Sequence, residues 1–584
     1  MDGSDDPHSS AEASPTIIKP PAIGPGKMLA GLAAISWLAY LLIAWSGQSL
    51  HEASSGDNSL LLQLGLFGIA FACYLVAIRV AVNMSPSRRL LALIVVPAIA
   101  FRLTLLFSDP IEEIDLYRYL WDGAVLDCGI SPFRYSPRQI LEASSNDDLP
   151  DDLRRLVLLR ESSPPLHAIL RRIHFGDLPT IYPPVSQAVF AAVDRVTPLD
   201  TSVPVRMRMM RAAFIGFDLC TLFILLKLLE LTGLPLGWAI AHAWCPLVVK
   251  EIANSGHLDS LATLLAVMAV YLALRSDPRQ APTRSRAALF GSAVAACTLA
   301  FSVGAKLYPV ILLPVLFAVF SRHYGWRIAG GLVAIAIVLS SVLIWPMMPT
   351  EDLEQIKPDS IPLVVNDEPP LPPEEVSLTP KDPSQSLRAF LSRWEMNDFL
   401  FLIVMENLRP TDQLPPNEVA WFSIVPQSWR IWITDHVQSG FNANAEMAPF
   451  LVTRAITSIV FAILAMIFAR RAYRADRTVE YLNAAFLTVA WFWLLLPTLN
   501  PWYWTWAVPF LPFTRNRAWL TVSGLAFVYY LRFWLVAHFP NGSVLGTGYN
   551  GALFFDYIVT WIEFGPWFVW LALGAAIRRI RYAA

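Results

Sequence analysis

Apolar runs close to the ~20 residues that cross a hydrocarbon layer recur along the whole chain. They lie at about 28–46, 60–82, 90–107, 211–231, 234–250, 257–275 and 287–303. Others follow at about 305–320, 326–346, 450–469, 481–499, 501–513, 517–538 and 552–576. The pattern predicts an all-α polytopic membrane protein with roughly fourteen transmembrane helices. The short run after Asn500 has a second reading, as a re-entrant or interfacial piece. Two long polar stretches interrupt the series. The organisation expected is a tail (1–27), three spans (28–107), a first long loop (108–210), further spans (211–346), a second long loop (347–449) and C-terminal spans with a short basic tail (450–584).

Arginine and lysine in short loops set the orientation. Arg88 and Arg89, Arg275 to Arg286, Arg322 and Arg327, Arg470 to Arg477, Arg515 and Arg517, and Arg578 to Arg581 all fall on one face. Short loops on the other face, 47–59 and 539–551, contain neither residue. Both termini are therefore expected in the cytoplasm, with the two long loops outside. Composition agrees, since 55% of the 584 residues are hydrophobic, only 15% are charged and the mean hydropathy is +0.48. A formal net charge of −2 gives no argument for nucleic acid, and no such partner is expected. Five scattered cysteines imply neither a disulfide framework nor a metal site. The first 27 residues are polar, acidic and rich in Pro and Ser, which predicts a disordered tail rather than a cleavable signal.

The second long loop opens with a Pro- and acid-rich stretch, 347–383, that forbids regular structure. It continues with Leu387-Arg-Ala-Phe-Leu-Ser-Arg-Trp-Glu-Met-Asn-Asp-Phe-Leu, which reads as an interfacial helix. No internal repeat is visible, which weighs against transporter folds built from repeated halves.

The first long loop holds the chemistry. Glu113 and Asp115 are two carboxylates one residue apart, directly after an apolar run. Asp115, Tyr119 and Asp122 would share one face of a short helix. A carboxylate at a membrane surface can take a proton from an acceptor hydroxyl as general base. A solvated acidic loop, with Asp109 and Asp115 capping a helix, explains the same spacing as well. Ile181-Tyr-Pro-Pro is explained by a structural turn at least as well as by substrate contact. Three further polar islands interrupt apolar sequence. Lys250, His257 and Asp259 cluster at the mouth of two spans, where an interhelical hydrogen bond is favoured over metal ligation because no third ligand is evident. Lys306 stands where spans meet with almost no loop, either snorkelling or offering a fixed cation. Asn500-Pro-Trp-Tyr-Trp-Thr-Trp is accounted for first by an aromatic belt.

Taken in order, these motifs resemble a known family. They are Asp115-Leu-Tyr-Arg-Tyr-Leu-Trp-Asp-Gly, Gly129-Ile-Ser-Pro-Phe-Arg-Tyr, Ile181-Tyr-Pro-Pro, Gly256-His-Leu-Asp, Lys306-Leu-Tyr-Pro, Trp394-Glu-Met-Asn-Asp and Asn500-Pro-Trp-Tyr. Over about residues 90–515 the chain resembles the polyprenyl-phosphate-sugar-dependent membrane glycosyltransferases of the GT-C fold, particularly bacterial hexosyl- and mannosyltransferases. The resemblance implies a GT-C-like bundle that moves a hexose, mannose being favoured, from a polyprenyl-phosphate donor to a hydroxyl of a lipid or glycan acceptor. A single inverting displacement on the outer face of a bacterial cytoplasmic membrane is implied, with membrane lipids as further partners. It assigns the catalytic base to Asp115 and pairs Glu113 with it, though Glu stands where related enzymes often have Asp. The donor phosphate would be held by Lys306, then Lys250 or His257. Substrate contacts would come from Tyr117, Asp122, Tyr182, Asp259, Asn397, Trp502 and Tyr503. No cofactor is required, no metal ligands are assigned, and a divalent cation stays open because acidic pairs also bind hard ions. No Gly-rich nucleotide fingerprint is present, in keeping with a lipid-linked donor. The alternative is a lipid or lipid-linked-sugar transporter, which would show the same spans.

Overall fold

The computed structural model describes residues 24–50, 59–112, 114–145, 147–277, 286–349, 377–412, 414–441 and 447–583. Glu113 and the Pro- and acid-rich stretch over 350–376 lie outside the described residues. The chain is an all-helical polytopic membrane protein. Nine helices among the described residues are long and apolar enough to cross a membrane: Pro25–Gly47, Ser59–Val82, Arg88–Leu106, Val203–Thr232, Arg286–Ala305, Trp326–Met347, Ala448–Tyr473, Trp519–His538 and Gly551–Ala576.

The other five apolar runs are shorter or broken, and prolines are the main reason. Asp259–Arg275 and Thr478–Leu494 are helices of 17 residues each. Tyr308–Tyr324 starts as a 3-10 turn containing Pro309 and becomes α-helical only from Leu313. The run at 234–250 is divided by Pro235 and Pro246 into short turns and passes into a π-helical turn, Val249–Asn254. The run at 501–513 is a four-residue helix, Pro501–Trp504, and a 3-10 turn, Val508–Phe513, both buried. Proline removes an amide donor and clashes with the preceding turn, so such segments persist at membrane depth only when packed inside protein.

One buried group of charges inside the bundle is paired. Arg102 donates to Asp218 and to the carbonyls of Ala98 and Ala243, while His242 Nε2 lies 2.9 Å from Asp218 Oδ1. All three side chains are buried, and they tie the Arg88–Leu106 and Val203–Thr232 helices to the turn at 240–243. Satisfying charge in this way is what makes its burial near hydrocarbon tolerable.

The two long loops fold together at one end of the bundle. The first holds the Asp115–Asp127, Pro137–Glu142, Asp151–Ser162, Pro164–Leu170 and Pro184–Arg195 helices. Asp115–Asp127 packs so closely on Pro184–Arg195 that a Cβ at Gly123 would stand 2.6 Å from the Phe190 carbonyl oxygen. The second loop docks on the first through backbone contacts. Gln139 Nε2 donates to the Thr379 carbonyl at 2.8 Å, Lys381 N to the Arg134 carbonyl at 2.8 Å, and Ser386 Oγ to the Pro179 carbonyl at 2.6 Å. The expected single amphipathic helix in this loop is two pieces, Gln385–Arg393 and Leu400–Leu408. Between them the backbone of Met396 pairs with the 497–499 segment: Met396 N donates to the Pro497 carbonyl and Leu499 N to the Met396 carbonyl. Asn397, at φ +52, makes the turn that interrupts the helix.

Candidate functional site

Asp115 is the first residue of its helix, and the loop before it is held by buried polar groups. Asn254, on the π-helical turn, donates to Ser108 Oγ and the Asp109 carbonyl, both at 2.7 Å, and accepts from Ile111 N at 2.9 Å. Arg211 donates to the Ser108 and Asn254 carbonyls at 2.9 Å. Gly256, at φ +76, lets that turn lie against Arg211, where a Cβ would stand 2.6 Å from Arg211 Cγ. The acidic segment is therefore pinned, a role for Asn254 and Arg211 that sequence spacing did not reveal.

Further along the same helix, Arg118 donates to the Leu178, His174 and Phe175 carbonyls at 3.0–3.2 Å. It thereby fixes the 174–178 segment beside Asp115. Asp122, one turn further on, is buried and accepts from Gln187 Nε2 at 3.1 Å; burial raises its carboxyl, and the nearby Arg118 charge opposes that rise. Tyr119 stacks on Phe190 and meets Tyr182 edge-on, both at 4.8 Å between centroids. Tyr117 points elsewhere, its hydroxyl accepting from Arg172 at 3.2 Å.

Asp115 opens onto a cavity of about 380 Å³ where the two loops meet the bundle. Its wall takes His174 and Phe175 from the first loop, Trp394, Glu395 and Met396 from the second, Thr498, Asn500 and Trp502 from the aromatic motif, and Arg532 from the Trp519–His538 span. Three of the sequence motifs, those beginning at Asp115, Trp394 and Asn500, thus converge on one chamber. Asn500 Oδ1 and Thr498 Oγ1 are buried without a hydrogen-bond partner among the described residues. Such orphaned acceptors suit a hydroxyl-rich ligand. Tyr182 lines a smaller recess beside it with Asp115, Arg118 and His174. Asn397 is not part of the wall; it is buried, with Nδ2 donating to the Leu499 carbonyl at 3.2 Å.

The cations divide into two groups. Arg532 is in the wall, 3.5 Å from Asp556, and was not anticipated because one arginine inside an apolar run carries no spacing signal. Lys306 lies outside the wall and is 18% exposed. Its Nζ is 2.7 Å from Asp259 Oδ1 and 4.7 Å from the Tyr503 ring centroid. Trp506 Nε1 donates to the same Asp259 oxygen at 2.5 Å. Tyr503 feels the charges of both Asp259 and Asp115, which puts the two expected sites within electrostatic reach of one another. Lys250 and His257 are buried. Lys250 binds the Tyr530 hydroxyl and lies 3.4 Å from Glu251, and His257 Nε2 is 3.2 Å from Glu251 and stacks under Trp502 at 4.3 Å. His257 thus supports the Trp502 wall, and Lys250 shares Glu251 with it. Among the described residues no group of three or more His, Cys, Asp or Glu is placed to hold a metal ion.

Glu395 lines the same cavity as Asp115. Desolvation and the charges of Glu406 and Asp556 push its carboxyl up to about 8, and Asp398 moves in the same direction. A raised carboxyl holds a proton in the folded state that the unfolded chain has released. Stability linked to Glu395 is therefore full below pH ~4.5 and declines as pH rises to about 8, where folded Glu395 ionises. Thermal unfolding in detergent at pH 5 and pH 8 should show a lower Tm at the higher pH, and Glu395→Gln should reduce that difference. An unchanged difference would remove Glu395 from the linkage.

The family described as "Alpha-(1->6)-mannopyranosyltransferase, N-terminal domain" matches this chain over residues 23–322, slightly more than half its length. The match contains Asp115, the Gly256-His-Leu-Asp turn and Lys306. Comparisons with curated proteins and with solved structures give no match.

Proposed function

Because the chain belongs to the alpha-(1->6)-mannopyranosyltransferase family, a GT-C type of membrane mannosyltransferase, we propose that it takes mannose from a polyprenyl-phosphate donor and forms an α-(1→6) bond to a glycan or lipid acceptor. The observation that carries this reading is the cavity bearing Asp115 on one wall and Arg532 on another, open at the end of the bundle where the long loops lie. The arginine-rich short loops at the opposite end support placing it on the outer face of a cytoplasmic membrane.

In the proposed reaction Asp115 accepts the proton of the acceptor hydroxyl as its oxygen attacks the anomeric carbon. The bond from that carbon to the phosphate oxygen breaks, and the polyprenyl phosphate leaves with the electron pair. Negative charge grows on the phosphate, where Arg532 in the wall and Lys306 outside it would stabilise it. Glu113 would assist Asp115, and His257 would support Trp502, with Lys250 behind it on Glu251 and Tyr530. Asn500, Thr498, Trp502, Tyr503 and Tyr182 would contact the sugars, with Asp122, Asp259, Asn397 and Tyr117 as positioning residues. One displacement inverts the anomeric centre, so an α-linked product requires a β-linked donor. The lipid tail would lie between helices, which gives a transferase reason to have so many spans.

The test is transfer of labelled mannose by the purified full chain. Polyprenyl-phosphate mannose should yield an α-linked product, and a nucleotide-diphosphate mannose should yield none. Efficient transfer from the nucleotide donor alone would overturn the donor assignment.

A further inference from the structure

A second cavity lies apart from the one described above. A space of about 570 Å³ lies at the arginine-rich end, between the end of the Ala448–Tyr473 helix, the start of Thr478–Leu494, the turn at 514–519 and the last span at Leu571 and Ala575. Arg471 and Arg474 from the end of the Ala448–Tyr473 helix and Arg515 from the 514–519 turn line it, against the single carboxylate Glu480. Glu480 accepts from Arg515 at 2.8 Å, which holds that guanidinium in place and leaves the lining with an excess of positive charge. The inner wall is apolar. Leu487, Trp491 and Trp519 form it, and Trp519 is 2% exposed, packed on Phe486 and Trp567. The turn is rigid because Asn516 donates to the Leu571 carbonyl at 3.2 Å and accepts from Ala518 N at 3.1 Å.

A basic mouth at the end of transmembrane helices, over an aromatic floor, matches the headgroup and upper glycerol region of a lipid. Guanidinium forks fit phosphate oxygens bidentately, and Arg binds phosphate with less dehydration than Lys. Positive charge on this face would satisfy membrane orientation wherever it stood. Here it gathers around a cavity with an apolar wall, which orientation alone does not require. We propose that this cavity binds the phosphate headgroup of an anionic membrane phospholipid, at a site separate from the transferase chamber and independent of how that chamber works.

The test uses the full chain in neutral detergent, titrated with phosphatidylglycerol, with phosphatidylcholine or with glycerol 3-phosphate. Binding is read by native mass spectrometry and by the shift in Tm. Phosphatidylglycerol should bind and raise Tm, with phosphatidylcholine at least tenfold weaker. Combined Arg471→Gln, Arg474→Gln and Arg515→Gln should cut phosphatidylglycerol affinity tenfold or more, whereas Arg88→Gln, on the same face, should leave it unchanged. If the triple variant does not fold, Arg474→Glu alone should still weaken binding several-fold. Equal binding of the two phospholipids, or undiminished binding by the variants, would overturn the proposal. Glycerol 3-phosphate binding as tightly as the lipid would show a soluble-phosphate site and overturn the lipid assignment.

Discussion

Replacing Asp115 by Asn is expected to lower mannosyl transfer by roughly 10²–10⁴-fold, the usual contribution of a positioned general base. Asn keeps the shape and hydrogen-bonding reach of the side chain but cannot accept the acceptor's proton. The fold should tolerate the change. Asp115 is the first residue of its helix, where losing a negative charge costs only about 0.3–1 kcal/mol of dipole interaction, and the preceding loop is pinned independently by Asn254 and Arg211. Membrane insertion and Tm should therefore match the wild type while transfer fails. Glu395→Gln offers the contrast. Glu395 shares the cavity but is pushed up to about 8, so near neutral pH it is largely protonated and a neutral amide should cost far less activity. A correctly inserted Asp115→Asn protein with full activity would sink the base assignment, and equal losses at both positions would mean that the cavity uses its carboxyls only to bind sugar.

The contrast between these residues shows what could be read from sequence. Hydrophobic run lengths were enough to give a polytopic helical membrane protein, because the bilayer forces each long apolar run into a helix. They could not distinguish a full helix from the broken turns at 234–250 and 501–513, since runs of similar hydropathy differ there only in proline placement. Asp115 was visible because an acid beside an apolar run is costly and stands out. Arg532 was not, because a single arginine inside an apolar run carries no spacing signal, and Glu395 stood out only as part of its motif, its place in the same cavity depending on the pairing of the 396 and 498 backbones across a hundred residues. Asp122 shows the reverse case. It shares a helix with Asp115 at suitable spacing, yet packing turns it inward to Gln187.

Lys306 supplies the second large effect, and here fold and function must be separated. Its Nζ is the ammonium partner of Asp259, whose side chain is fully buried and whose second oxygen has no hydrogen-bond partner among the described residues. Lys306→Met would leave that carboxylate uncompensated, a loss expected to destabilise by about 3–5 kcal/mol and to lower folded yield as well as activity. Activity of the single variant therefore decides nothing. Combining Lys306→Met with Asp259→Asn removes both charges and keeps an acceptor for Trp506 Nε1, which now donates to Asp259 at 2.5 Å. The double variant should regain most of the lost Tm. If Lys306 stabilises the leaving phosphate, transfer should stay at least ~10²-fold down, in line with losing one preorganised charge in a water-poor site. If transfer returns with the fold, Lys306 is only the counter-ion that keeps Asp259 buried, and phosphate stabilisation would pass to Arg532, the cation in the cavity wall.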